Sequence, residues 1–600
     1  MERLLTASSR RVSTLGKVAM RPNGWVCLSC RAHRATRIRS FSSDISITDV
    51  GSRNLPPLYR IQQPRKDDSQ DNKPYYVTSP IFYVNASPHI GHLYSMLIAD
   101  VLKRWQILKG REAYLSTGTD EHGMKVQRAA ELQDLQPKAL CDANAEIFKD
   151  LANKANIAYD RFIRTTDPDH REAVEYFWAR LRHSGYIYEK KHEGWYCVSD
   201  ETFYPESMVE KRVSPQTGKS FMASTETGNA VEWTEERNYH FRLTAFRRQL
   251  LNFYRDNPGW VVPDRRFAEV VRWVEDNLED LSISRPASRL TWGIPVPDDP
   301  SQTIYVWLDA LVNYITTAGY PYWQPGAESA KGWPADVHVV GKDITRFHCV
   351  YWPAFLMALN IPLPKRVLSH SHWLMSKQKM SKSIGNVVNP FFALDRWGVD
   401  TMRYFLIYCG HIGVDANYDN TFIVREYKKG LQGGLGNLVN RVTQPKNWNL
   451  RKIVEKVTEE QWLLPIVKDH REFLGQIAKQ VDAQMNAVNP ASALENIMKV
   501  VFETNKFLTA GVPWQLIKID VLAAEHTVFM TAESVRIAGI LLQPFIPEKA
   551  KGLLDRLGVS PDKRTFEDAV IFGDDSYGTP MVRLGRGAEG SLFPPIPVED

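Results

Sequence analysis

The stretch Tyr75-Tyr76-Val77-Thr78-Ser79-Pro80-Ile81-Phe82-Tyr83-Val84-Asn85-Ala86-Ser87-Pro88-His89-Ile90-Gly91-His92 decides the fold. Its start, Tyr75 to Ser79, is aromatic and β-branched, the composition of a buried strand. Asn85 to Pro88 is turn-rich. Ser87 is placed to cap a helix and Pro88 to take its first position. Ile90, Leu93, Leu97 and Val101 then recur at helical spacing as far as Gly110, a natural stop. A strand running into a helix in this way opens a parallel α/β unit. His89 and His92 fall at the helix N-terminus, where backbone N–H groups and the helix dipole favour phosphate. Gly91 carries no side chain, so an adenine ring could lie against the backbone there.

A second stretch lies far downstream, after Arg366-Val367-Leu368-Ser369, which reads as a strand end. Ser376-Lys377-Gln378-Lys379-Met380-Ser381-Lys382-Ser383-Ile384-Gly385-Asn386 is polar and lysine-rich and closes on Gly-Asn. That is the composition of a mobile loop. Lysines on such a loop can close over a triphosphate and stabilise a leaving pyrophosphate. Taken singly, each stretch also reads as ordinary surface: a capped helix with two histidines, and a solvated charged loop.

With both stretches in this order, the chain resembles the methionyl-tRNA synthetases of class I, with their HIGH and KMSKS signatures. The likeness runs from about Pro74 to the C-terminus. It includes Tyr83, Gly118-Thr119-Asp120-Glu121-His122-Gly123, Tyr196-Cys197-Val198-Ser199-Asp200-Glu201, Glu232-Trp233-Thr234-Glu235-Glu236, Val306-Trp307-Leu308-Asp309-Ala310 and Gly341-Lys342-Asp343-Ile344. One departure is Lys377, where relatives often have glycine, and it bears on the flexibility of the signature loop.

The resemblance implies roles residue by residue. His89, Gly91, His92, Lys379 and Lys382 are the catalytic set. The same residues with Met380, Ser381 and Ser383 bind ATP, and Mg²⁺ is expected with it. Asp120 would grip the amino group of methionine. Ile81, Tyr83, Trp307, Ala310, Leu311, Tyr314, Ile344, Phe347, His348 and Trp352 would form its side-chain pocket, where aromatic walls suit a thioether. For tRNA-Met, Asn437 and Arg441 lie four apart on one helix face, and Trp514 matches a stacking tryptophan. Arg425, Lys428, Lys429 and Lys446 offer a basic patch for phosphates.

Length predicts several domains, and the resemblance apportions them. Residues 1–41 read as a mitochondrial transit peptide and 42–73 as a disordered linker. A Rossmann-type α/β catalytic domain spans 74–189 and 246–394, split by a small β-rich connective insertion at 190–245. An all-α anticodon-binding bundle follows at 395–600, with proline-containing segments at 445, 465, 489, 513, 544 and 547 marking helix boundaries. Leu592-Phe593-Pro594-Pro595-Ile596-Pro597 resembles the family's closing motif, and a monomer is expected.

Charge places the front segment. Arg3, Arg10, Arg11, Lys17, Arg21, Arg31, Arg34, Arg37 and Arg39 oppose Glu2 alone, so the first 41 residues account for more than the whole net charge of +6. This Arg- and Ser-rich, acid-poor profile is that of a transit peptide to the mitochondrial matrix, processed near Phe41. The body is slightly acidic, so overall charge says nothing for RNA binding. No apolar run reaches the ~18 residues needed to span a bilayer.

The cysteines are Cys27, Cys30, Cys141, Cys197, Cys349 and Cys409. The Cys27/Cys30 pair lies in the presequence, and the insertion offers Cys197 alone among thiols. No structural zinc is therefore expected. A pocket that differs by one methylene discriminates only about 10–200-fold. The stretch between the signatures is too short for the editing domain that leucyl, isoleucyl and valyl enzymes carry. Three other readings remain open at this point. They are a cysteinyl enzyme, a catalytically silent synthetase-like RNA-binding protein, and a nucleotidyl transferase without an anticodon bundle.

Overall fold

A computed structural model describes residues 73–600 apart from 215–216, 324–326, 376, 381–385, 444–446, 459–464, 586–589 and 597–600. The expected transit peptide, with Cys27, Cys30 and its basic residues, lies outside the described residues.

The catalytic part is built on a six-stranded, wholly parallel sheet. Its strands are β1 (Tyr75–Tyr83), β2 (Ala113–Asp120), β3 (Arg161–Arg164), β4 (Val261–Val262), β5 (Val337–Gly341) and β6 (Val367–His370), in the order β3-β2-β1-β5-β6-β4. The chain order reverses between β1 and β5. In open α/β sheets, ligands bind beyond the carboxyl ends of the strands at such a switch point.

β1 is longer than the sequence suggested. Pro80 lacks the N–H a central ladder requires, so Ser79 read as an end. A register shift between Thr78 and Ile81 absorbs the proline, and pairing with β2 resumes through Tyr83↔Asp120. The strand therefore carries Ile81 and Tyr83 to the rim of the switch point.

The stretch expected to be β-rich contains a long antiparallel pair, Ile187–Cys197 with Glu232–Phe241, and shorter strands between them. Asp200 ties its loops together. It accepts hydrogen bonds from Tyr204 Oη (2.9 Å), Thr227 Oγ1 (2.6 Å) and Asn229 Nδ2 (2.7 Å). Cys197 is buried nearby, where loss of solvent and the Asp200 carboxylate push its thiol up to about 12. Among the described residues, no group of three or more His, Cys, Asp or Glu side chains could hold a metal.

Helices dominate after the sheet. Prolines open several of them: Pro465–Gly475, Pro490–Gly511, Pro513–Leu516 and Pro547–Leu557. The central helix, Val521–Leu542, is buried on nearly every side. One element was not legible: Tyr427–Gly436 winds as a π-helix. Its glycines permit close approach, since a Cβ at Gly430 would lie 2.4 Å from Tyr404 Oη. The closing motif packs there too, with Tyr427 Oη donating to Pro594 O (2.6 Å). No helix among the described residues is long and apolar enough to cross a membrane.

A buried ion pair joins the sheet's first helix to the bundle. Arg403 Nη2 meets Asp100 Oδ2 at 2.5 Å, both side chains fully buried. Arg403 also donates to the carbonyls of Phe545 (2.9 Å), Pro544 (2.9 Å) and Ala155 (3.2 Å). Deleting one partner of such a pair leaves the other charge buried and uncompensated. Asp100→Ala is thus expected to cost about 3–5 kcal/mol of stability, read from the urea unfolding midpoint. A loss under about 1 kcal/mol, the scale of exposed pairs, would contradict this account of the junction.

Candidate active site

A cavity of about 370 Å³ opens at the switch point between β1 and β5. One end is the start of helix Ile90–Leu108. Here the structure corrects the expected cap. Neither Ser87 nor Pro88 begins the helix; His89 is the N-cap and Ile90 the first helical residue. His89 Nδ1 accepts the Gly91 N–H (3.1 Å), and His92 Nδ1 accepts the His89 N–H (3.0 Å). The two imidazoles thus form a reciprocal capping box, a job usually done by Ser/Thr with Glu/Gln. Their rings stack at 3.7 Å.

One further correction follows. The Ile90 N–H donates to Val388 O (3.2 Å), and that of Gly91 is taken by His89. These amides are therefore not free for a phosphate; what the helix start offers is its dipole and the two imidazoles. Gly91 lines the cavity, and a Cβ there would meet His89 Cε1 at 2.9 Å, so its missing side chain leaves room for the His89 ring.

Further along the same wall lie Gly341, Asp343, His370 and His372 at the carboxyl ends of β5 and β6. His370 Nδ1 donates to Ser371 O (2.9 Å), so its Nε2 accepts from Ser95 Oγ (2.8 Å). Burial pulls this imidazole down to about 4, and it stays neutral. Asp415 accepts both the Lys342 ammonium (2.7 Å) and the His372 N–H (2.9 Å), fixing the floor. The sequence reading quoted Gly341-Lys342-Asp343-Ile344 but gave a role to Ile344 alone. Position at the end of a switch-point strand was the signal that could have found the others.

The second signature enters this cavity through Met380 and is followed along the wall by Val387. Ser381, Lys382 and Ser383 lie outside the described residues, and Lys379 is described by its backbone alone. Strand Gln378–Lys379 pairs with Trp373–Met375, which pairs in turn with Ala416–Tyr418. Lys377 has φ +63°, the left-handed conformation that glycine adopts without strain. Its N–H is held by Asn417 Oδ1 (2.9 Å), so the position keeps its turn without glycine.

At the other end the walls turn apolar. Ile81, Tyr83, Asp120, Trp307, Ala310, Leu311, Tyr314, Ile344 and His348 all line the cavity. Phe347 and Trp352 do not. Phe347 lies behind Trp307, stacked at 3.7 Å with the planes 4° apart. Trp352 is fully buried against Phe177 and Tyr314. His348 sits on a π-helical turn, Phe347–Tyr351, a form frequent at functional sites. Its Nδ1 donates to Ile344 O (2.9 Å), so Nε2 accepts the Tyr314 hydroxyl (2.7 Å). Burial lowers His348 to about 4.

The electrostatics centre on Asp120, at the carboxyl end of β2 and 2% exposed. Three buried carboxylates meet here. Asp309 is balanced by His122 Nδ1 and His170 Nε2, each at 2.7 Å. Burial acts to raise its pKa, but the two imidazoles together hold it below the usual value. Glu201 accepts the Lys125 N–H (2.7 Å) and the Tyr196 hydroxyl (3.2 Å), while burial raises its carboxyl. Asp120 has weaker support: its burial is not offset by Lys125 and the His122 backbone N–H, which act to lower its pKa. Its Oδ1 and the Tyr83 hydroxyl are buried without a hydrogen-bond partner among the described residues. Desolvation, then Asp309 and Glu201, lift it well above the carboxylate range. Lys125 is the nearby cation, with its ammonium over the Tyr83 ring at 4.2 Å. A buried acceptor of this kind is complementary to a ligand ammonium.

In the bundle, Arg441 lies on helix Asn437–Thr443 with its guanidinium 5.6 Å from the Trp514 ring. Trp514 is half-buried just after Val512, which takes φ +33° between two helices. Asn437 shares the Arg441 helix and reaches Asn505 (3.5 Å). Of the expected basic patch, Arg425 is ion-paired with Glu426 (2.7 Å) and Lys429 lies over Phe502. Lys428 is exposed, and Lys446 lies outside the described residues.

The profile of the family "tRNA synthetases class I (M)" matches residues 75–443, and that of the "anticodon binding domain of methionyl tRNA ligase" matches 468–572. A parallel sheet with a cavity at its switch point and a helical bundle downstream is the architecture of a class I aminoacyl-tRNA synthetase. The chain is 54% identical to the probable mitochondrial methionine–tRNA ligase of Neurospora crassa, over 99% of its own length and 95% of that protein's. It is 43% identical to the human mitochondrial methionine–tRNA ligase, over 88% and 91% of the two chains. Among solved structures it matches Mycobacterium tuberculosis methionyl-tRNA synthetase in complex with methionyl-adenylate. That match has a TM-score of 0.79 and 38% identity, and covers 87% of this chain and 100% of the other. The chain belongs to the methionyl-tRNA synthetase family and is, by that membership, an ATP-dependent methionine–tRNA ligase.

Proposed function

We propose that the switch-point cavity makes methionyl-adenylate and then esterifies the terminal adenosine of tRNA-Met in the mitochondrial matrix. The observation that carries this reading is Asp120 Oδ1, buried without a hydrogen-bond partner among the described residues, in an aromatic-walled cavity that continues to the histidine-capped helix. Asp120 takes the methionine ammonium, and Trp307, Tyr314, Ile344 and their neighbours surround the thioether. The carboxylate of methionine attacks the α-phosphate of ATP, and pyrophosphate leaves. A ribose hydroxyl of the tRNA then attacks the acyl carbonyl. No protein nucleophile is needed; positioning and charge stabilisation do the work.

In this scheme His89 and His92 receive the triphosphate, and Lys379 and Lys382 the leaving pyrophosphate. Met380, Ser381 and Ser383 are assigned to ATP binding with them. Mg²⁺ arrives on the phosphate oxygens. The Arg- and Ser-rich front and the names of the Neurospora and human relatives support a mitochondrial address. The domain limits given above, and a monomer, complete the proposal.

Asn437, Arg441 and Trp514 are proposed to read the anticodon, whose single-stranded bases are recognised by stacking and by their edges. Trp514→Ala is expected to cost about 1–3 kcal/mol of tRNA binding, the value of one base stack. Charging of a tRNA-Met transcript would fall roughly 10- to 100-fold at low tRNA, with methionine-dependent pyrophosphate exchange unchanged. Equal losses in both assays would make Trp514 structural.

A further inference from the structure

Far from the cavity, the backbone takes an unfavourable turn at Val512. This residue ends helix Pro490–Gly511 and caps helix Pro513–Leu516, with φ +33° and ψ +51°. Such a left-handed helix end is normally given to glycine, which has no Cβ to crowd the backbone. A β-branched residue there is an outlier. The residue before a proline is also driven toward extended backbone, and Pro513 follows. Among the described non-glycine residues of positive φ, Val512 alone precedes a proline.

A glycine stands one position earlier, but packing holds it there. A Cβ at Gly511 would meet Thr527 Cγ2 at 2.6 Å, and Thr527 is fully buried on the central helix Val521–Leu542. Close approach of the two long helices takes the glycine, and the reversal falls on valine.

What the reversal carries is Trp514. The Val512 carbonyl accepts the N–H groups of Gln515 (2.9 Å) and Leu516 (3.2 Å). The turn that holds Trp514 thus hangs on the strained residue, and a helix of one turn has little stability of its own. Trp514 packs on the bundle core and meets the Arg441 guanidinium at 5.6 Å. The helix leading into the reversal carries Asn505, whose amide lies 3.5 Å from that of Asn437. Both arms of the junction therefore belong to the face proposed to read the anticodon.

We propose that Val512 is a positioning residue for anticodon binding. Its branched side chain is stiff and leaves the reversal few arrangements, so the Trp514 ring is held beside Arg441 before tRNA arrives. Strain persists at this point because the packing around it over-determines the turn. A platform already ordered lowers the ordering cost of binding. The proposal rests on the reading that Trp514 stacks on an anticodon base.

The test compares wild type with Val512→Gly, Val512→Asn, Trp514→Ala and the double variant Val512→Gly/Trp514→Ala. The readouts are aminoacylation of a tRNA-Met transcript, methionine-dependent pyrophosphate exchange and thermal unfolding. Val512→Gly takes the left-handed turn without strain but lets the junction sample other conformations. Apparent affinity falls with the fraction of molecules in the competent arrangement, so the tRNA KM is expected to rise about three- to tenfold. The kcat at saturating tRNA and the exchange rate should be unchanged, and the melting temperature no lower than that of wild type. Val512→Asn tolerates the left-handed conformation yet keeps a Cβ, and should recover most of the wild-type tRNA KM. On the Trp514→Ala background, Val512→Gly should raise the tRNA KM no further, because it acts through that ring.

An unchanged tRNA KM in Val512→Gly would overturn the proposal. So would an equal effect of Val512→Gly with and without the Trp514 ring. A rise in tRNA KM joined by a lower melting temperature and slower exchange would also overturn it, as the mark of a merely structural residue. Failure of the underlying reading looks different: Trp514→Ala would itself leave the tRNA KM unmoved.

Discussion

Asp120→Asn is expected to raise the KM for methionine about 100- to 1000-fold. That is the 2–5 kcal/mol lost when one partner of a buried charged hydrogen bond is removed. The ATP KM should hardly move, because Asp120 lies at the apolar end of the cavity, away from the histidine cap. The same substitution should make the unliganded protein more stable, and the sign follows from linkage. Burial and the neighbouring Asp309 and Glu201 lift the Asp120 carboxyl well above its usual range. A group raised in the folded state stabilises most below its unfolded pKa, about 3.9. That contribution is lost as pH rises through the folded value.

An ionised Asp120 thus strains the fold, and asparagine relieves it. Methionine relieves it too, by supplying the ammonium. A higher melting temperature with a far weaker methionine response is the expected pair of results, an instance of stability given up for function. Lowering pH toward the folded pKa should raise the methionine KM of the wild type, because a protonated carboxyl no longer offers a charge. A variant with unchanged methionine KM would remove Asp120 from the site.

Lys382→Ala is expected to cost about 3–4 kcal/mol of transition-state stabilisation, the order found when one donor to a developing anion is lost. The kcat of methionine-dependent pyrophosphate exchange should fall by two to three orders of magnitude. Methionine binding, read by tryptophan fluorescence from Trp307, should be retained. This split separates Lys382 from Asp120: one acts on the leaving group, the other on the amino acid. An unchanged exchange rate would sink the assignment.

The resemblance named the residues of this site one by one, while periodicity alone supplied only the strand from Tyr75 and the helix after it. Tyr83, Asp120, Trp307 and His348 belong to regular elements whose ends meet at the switch point. What escaped reading depended on contacts between distant segments. His89 is an unusual N-cap, so propensity pointed two residues early, to Ser87. Pro80 reads as a strand end until a register shift with β2 absorbs it. Whether Trp352 faces the cavity or lies behind it depends on its packing against Phe177 and Tyr314, which are distant in sequence. The buried carboxylates could be named singly, but the contrast between Asp309, paired with two imidazoles, and Asp120, with one oxygen bare, exists only in three dimensions. The π-helix Tyr427–Gly436, where Gly430 lies close to Tyr404, had no signal in the periodicity.

The most direct test of the account is amino-acid-dependent exchange of labelled pyrophosphate into ATP, run on the purified protein with each of the twenty amino acids in turn. The account predicts exchange with methionine and background with the other nineteen. Exchange driven by a different amino acid, or none with methionine, would contradict it.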